Sequence, residues 1–166
     1  MITYGAVQSL TFDVSSLATS STFLVGVESN EIDNTTTRWD DIEISCDGIL
    51  CNATTGSVIG QQIQLYLWGS DVSLATTPID TLDGVASAET LTHDAVRQAL
   101  RWVASPAATA VTAGLKYPIL PFCVASQFYG NVPAFCGLYL AHNHAAALAA
   151  AQSAIWSWRG IKYTAT

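Results

Sequence analysis

The chain has 166 residues, half of them hydrophobic and 11% charged, with a formal net charge of −7. That length suits one domain, spanning 1–166, with a core that needs no staples, and the acidic balance speaks against nucleic acid or an anionic membrane surface as partners. Ordinary soluble domains carry about 25% charged residues, so a surface this poor in charge is expected to be covered in part by copies of itself or by another protein.

The alternation of Leu10, Phe12 and Val14 predicts a first strand over Ser9–Val14, and Ser15 to Ser21 reads as a turn of small residues. Thr22–Val27 is a short apolar run suited to a strand buried on both faces. A polar corner follows, Asp33-Asn34-Thr35-Thr36-Thr37, where Asp and Asn side chains can close turns. From Trp39 to Cys46, Trp39, Asp41, Glu43 and Ser45 alternate with Ile42, Ile44 and Cys46, the pattern of a strand with Asp41 and Glu43 turned to water. Turn chemistry at Asp47-Gly48 and Asn52–Gly56 encloses Ile49-Leu50. Gln61–Trp68 alternates cleanly, with Ile63, Leu65 and Leu67 on one side and Gln62, Gln64, Tyr66 and Trp68 on the other.

Gly69 to Thr90 has no period and reads as a long surface loop, around residues 70–94 in all. Thr92–Val103 fits a helix capped by Thr92 or a strand, and the all-β setting favours a strand from about Val96, after at most one helical turn. Two prolines confine the first half of Tyr117–Ala125 to an edge. Phe135–His142 is a further strand; the alanine-rich Asn143–Ser153 could wind into a helical turn; Ile155–Tyr163 closes the pattern with a kink expected at Gly160. About eight short strands separated by turn signals predict an all-β, antiparallel β-sandwich, jelly-roll-like.

No apolar run reaches the length of a membrane-spanning helix, and Met1–Ala6 lacks the basic and apolar regions of a secretory leader, so synthesis in a cytoplasm is expected. Four cysteines, Cys46, Cys51, Cys123 and Cys136, lack C-x-x-C spacing and read as buried thiols, with Cys46–Cys51 or Cys123–Cys136 disulfides as the alternative. The acidic group Asp33, Asp40, Asp41 and Glu43 fits no calcium loop and reads as a solvated face. His142 and His144 would share one side of a strand and could give a metal two ligands, with His93 the available third histidine; a turn or interface contact is the plainer reading. No nucleophile elbow or phosphate-binding loop is present. Catalytic residues, a cofactor and a metal site are therefore not expected. Five tryptophans, Trp39, Trp68, Trp102, Trp156 and Trp158, could stack on sugars as in carbohydrate-binding modules, but their strand positions favour core or subunit contacts.

Several pieces in order resemble small virion proteins of tailed bacteriophages. They are Thr3-Tyr-Gly-Ala6 with Leu10-Thr and Ser16–Ser20, then Ser29 and Ile32–Thr35 before Asp40-Asp41-Ile42, then Gly60 leading to Tyr66–Ser70. Phe122–Ala125, Phe128–Pro133, Gly137–Asn143 and Trp158–Ile161 continue the likeness, which spans most of the chain outside about Asp71–Asp94. The long loop, the four cysteines and the alanine-rich stretch depart from the pattern. The resemblance implies a jelly-roll-like sandwich and a structural role without turnover. It implies a capsid decoration (cement) protein clamping capsomers of the major capsid protein, with a tail, neck or fibre-associated virion protein as the alternative. A homo-oligomer, a trimer at local three-fold points, goes with that role.

Overall fold

The computed structural model describes residues 1–50, 58–107, 114 and 116–164; Cys51 and the turn expected over Asn52–Gly56 lie outside them. Two antiparallel sheets pack as a sandwich. The first contains β1 (Ile2–Tyr4), β2 (Gln8–Ser9), β5 (Asp41–Cys46), β11 (Phe122–Cys123) and β13 (Trp156–Tyr163), in the order β1-β13-β5-β11 with β2 also on β13. The second contains β3 (Val25–Glu28), β4 (Ile32–Asp33), β7 (Ile63–Ser70), β8 (Ser87–Thr90), β9 (Arg101–Ala104) and β12 (Phe135–His142), in the order β8-β3-β12-β7-β9 with β4 also on β12. A small ladder joins β6 (Ile49–Leu50) to β10 (Lys116–Tyr117), and two short helices, α1 (Asp94–Ala99) and α2 (Val124–Gln127), complete the elements.

The strand periodicities place the main core between the sheets. Ile42 and Ile44 from one side meet Ile63, Leu65, Leu67, Leu138 and Leu140 from the other, with Phe12 and Trp156 in ring contact at 5.0 Å. Each side chain of this kind contributes roughly 1.5–3 kcal/mol when fully buried. Leu10, Phe12 and Val14 are buried as their alternation requires, yet only Gln8–Ser9 is strand. The expected strand stops there because the chain crosses between sheets: the Leu10 amide bonds to Trp156 O on the first, and the Ser20 amide to His142 O on the second. Beyond this crossing, β3 begins at Val25 rather than Thr22.

The segment read as a surface loop covers the outer face of the second sheet instead. Leu74, Leu82, Leu91 and Leu100 close over Tyr66, Trp68, Tyr139 and Ala141, forming a second core. Tyr66 and Trp68 therefore do not face water, and β7 is buried on both sides. Residues 87–90 of the same segment are strand, paired with β3. The 92–103 stretch is also divided differently. The Thr92 side chain bonds Asp80 rather than capping, α1 runs to Ala99, and strand begins only at Arg101. Packing decides this, since Val96 and Leu100 enter the second core while Arg97 reaches the Tyr66 hydroxyl at 2.6 Å.

Two other expectations fail for traceable reasons. No helical turn forms in the alanine-rich link, because its backbone is spent on neighbours: Leu148 N bonds Leu17 O, Ala149 N bonds Leu50 O, and Ala149 O accepts from Ser16 N. Gly160 makes no kink, as the β13–β5 register runs unbroken from Trp156↔Cys46 to Ile161↔Asp41. It is glycine because the Trp39 indole lies where a side chain would be, with a Cβ falling 1.9 Å from Trp39 Cδ2. Gly137 makes similar room for Trp68, at 2.4 Å.

Gly160→Ala should therefore lower stability by about 1–3 kcal/mol through overpacking, and Leu82→Ala by about 2–5 kcal/mol through a cavity in the second core. Urea titration checks both. An unchanged midpoint for Leu82→Ala would mean that the 71–91 segment does not pack on the sheet.

Candidate functional site

The corner before β5 is held by its own side chains. Asn34 brackets the turn, accepting from Trp39 N at 2.7 Å and donating to Trp39 O at 3.2 Å, while the Asp33 carboxylate accepts from both the amide and hydroxyl of Thr35. These two bonds hold the exposed Asp33 carboxyl below its ordinary range. Arg38 takes a left-handed conformation (φ 50°), and Trp39 is seated against Gly5 and Gly160. The acidic residues expected to share a solvated face are distributed otherwise. Asp40 accepts from Tyr163 N, and Glu43 pairs with Arg159 at 2.9 Å. Asp41 is buried: α2 lies over it, and its Oδ1 accepts from Ile42 N and Ala125 N while the Cys123 thiol bonds the same carboxylate. Asp41 thus belongs to the packing and not to the water-facing surface read from the alternation.

His142 and His144 are both buried. The His142 Nδ1 accepts from His144 N, so its Nε2 carries the proton and donates to Leu17 O at 2.8 Å. Both ring nitrogens are thereby engaged. Burial holds the His142 ring below the usual imidazole range and lowers His144 to about 4, so neither is charged at neutral pH. His93 precedes α1 and is exposed, outside this pair. Cys46, Cys123 and Cys136 carry free thiols, so the considered Cys123–Cys136 bridge is absent. Burial raises them to about 11, 11 and 12, which leaves little thiolate for reaction. Trp68 and Trp156 are core residues, Trp39 and Trp158 pack against the core, and Trp102 is exposed.

Among the described residues, three potential metal ligands converge in one group, Glu28, Asp83 and Glu89, with ligand atoms within 4.8 Å of one another. Composition alone did not single these out; the available signal was a carboxylate closing the apolar run Val25-Gly-Val27. Glu28 is wholly buried, and its two oxygens accept from the amides of Asp83 (3.0 Å) and Gly84 (3.1 Å), tying the covering segment to β3. Asp83 and Glu89 are themselves bonded to Val85 N and Ser87 Oγ. The cluster is a clamp between a sheet and the segment lying on it.

The surface most suited to contact is the N-terminal edge of the first sheet. β1 pairs with β13 on one side and with no described strand on the other. Met1, Ile2, Tyr4 and Val7 are exposed along it, and Tyr163 stands opposite Ile2. No charged side chain occurs before Asp13. Edge strands normally carry charges, prolines or bulges that block pairing with another chain, and the β1 segment has no charged side chain or proline. Arg159 stacks on Tyr4 at 4.3 Å and pairs with Glu43, placing an aromatic–arginine group beside the edge. Such groups are enriched at the energetic centres of protein interfaces.

No family model, curated protein or solved structure matches the chain.

The buried clamp carries a pH dependence. Burial raises the Glu28 carboxyl from its ordinary 4.5 to about 8, against the two amide bonds that pull it down. The folded state thus holds this proton more tightly than the unfolded chain. Its contribution is fullest below about pH 4.5 and is lost as pH rises toward 8. We expect the stability difference between the native protein and Glu28→Gln to shift against the native protein over that rise. Denaturant titrations at a series of pH values check this, and a pH-independent difference would refute it.

Proposed function

We propose that the chain is a structural protein of a tailed-phage virion, a capsid decoration protein that binds between capsomers and reinforces the head. The single observation that carries this reading is the open edge of the first sheet, free of charged side chains, with Ile2, Tyr4 and Val7 exposed along it. The ordered motifs shared with small virion proteins, from Thr3-Tyr-Gly-Ala6 to Trp158–Ile161, lend it support.

A decoration protein works by binding alone. It must remain in solution as made, then bury surface on assembly so that many weak contacts sum over a lattice. Burying an Ile, Tyr or Val side chain adds about 1.5–3 kcal/mol, less the cost of ordering, which suits a contact repeated many times. Self-association belongs to the same reading: the protein forms a homo-oligomer, a trimer at three-fold points, and then meets the major capsid protein.

Copy number in purified particles tests the role. Hundreds of copies per particle fit decoration of the head; about six to twelve fit a ring in the tail or neck; absence from particles overturns the virion reading. The edge is tested separately. Ile2→Lys combined with Val7→Lys should leave thermal stability nearly unchanged, since both residues are exposed. The same change should reduce a sedimenting trimer to a monomer. An assembly unaffected by the pair would move the contact to another surface.

A further inference from the structure

A groove of about 890 Å³ runs beside the corner that precedes β5, walled by Thr35, Arg38, Asp40, Asn131 and Tyr163. Its walls keep hydrogen-bonding capacity that the fold does not use. Arg38 commits only its Nε, to Thr35 O at 3.3 Å, leaving both terminal nitrogens of the guanidinium. Neither the Asn131 side chain nor the Tyr163 hydroxyl bonds to another described residue. Asp40 Oδ2 accepts from Tyr163 N, and its Oδ1 lies 3.9 Å from Lys162 Nζ. Beneath these groups the backbone is fixed: Asn34 holds both ends of the turn, and the Arg38 amide donates to Asn34 O at 3.1 Å.

This inventory selects a class of ligand. Arg38 and Asp40 carry opposite charges on the wall, and the buried Asp41 is committed to the Ile42 and Ala125 amides, so the accessible groups favour neither an anion nor a cation. Planar guanidinium, amide and carboxylate groups can each grip two neighbouring hydroxyls, which both donate and accept. The exposed Tyr163 ring offers a flat apolar face for the C–H side of a sugar ring. A peptide strand would instead add to an open sheet edge, and this groove is walled mainly by turn and loop residues, Asn34 to Asp40 and Gly130 to Val132. Preorganised polar groups with one aromatic platform make a small-ligand site.

We propose that this groove binds a neutral, polyhydroxylated ligand, a segment of a glycan chain, through Arg38, Asp40 and Asn131 with Tyr163 as the stacking face. The site does not rest on the virion reading: Tyr163 pairs with Ile2 of the edge, but Arg38, Asp40 and Asn131 lie outside it, so substitutions at Arg38 and Asn131 test the groove without altering the edge.

The test is titration of the full chain with maltohexaose, cellohexaose and chitotetraose, followed by ¹⁵N-resolved NMR, with a sulfated heparin hexasaccharide as the charged comparison. We expect saturable shifts at Arg38, Asn131 and Tyr163 with at least one neutral oligosaccharide, at a Kd on the order of 0.1–1 mM. Asn131→Ala and Arg38→Ala should each weaken that binding about tenfold, a loss of roughly 1.4 kcal/mol, while thermal stability stays the same. The proposal is overturned by an absence of shifts with all three neutral sugars, by binding that both substitutions leave intact, or by tighter binding of the sulfated sugar.

Discussion

The pairing of β7 with β12 is the constraint from which the rest of the architecture follows. Eight consecutive rungs, from Phe135↔Ser70 to His142↔Ile63, lock two strands that are apolar on both faces. A slip of one residue would exchange Leu65 and Leu67 for Tyr66 and Trp68, sending the wrong set of side chains into each core. A sheet with two apolar faces needs two covers. The first sheet covers one face; the 71–100 segment covers the other.

That second cover explains why a carboxylate sits in the interior. The covering segment has little regular structure, so its amides need partners that its own backbone does not supply. Glu28 gives them two acceptors at the level where the segment turns at Asp83-Gly84. Glu31 does the same nearby, accepting from the Leu74 amide and the Ser73 hydroxyl. Two of the chain's acidic side chains thus have a structural task, since they replace a missing ladder.

The sheets were legible in the sequence because period-two alternation reports burial directly. It located Ile63–Trp68 and the Ile42/Ile44 face, and it marked Leu10, Phe12 and Val14 as core even where no ladder forms. Alternation could not show that the opposite face is also covered. Tyr66 and Trp68 are amphipathic enough to suit either water or an interior, and the leucines that meet them, Leu74, Leu82 and Leu91, are too widely spaced to form a pattern. The groove was half visible. The polar corner stood out, but Asn131 and Tyr163 join it from segments about 90 and 120 residues away, which only the assembled sandwich brings together.

The pairing of Ile2 with Tyr163 means that the exposed edge is built from the two extremes of the described chain. A ribosome adding about 5–20 residues each second releases β1 long before β13 exists to receive it. The ladder must then close a loop of nearly the full length, a slow step in the folding of non-local β structure. An interrupted or shortened polypeptide would lack that surface altogether. Quality control is therefore inherent in the topology: only a molecule translated through β13 can form this edge.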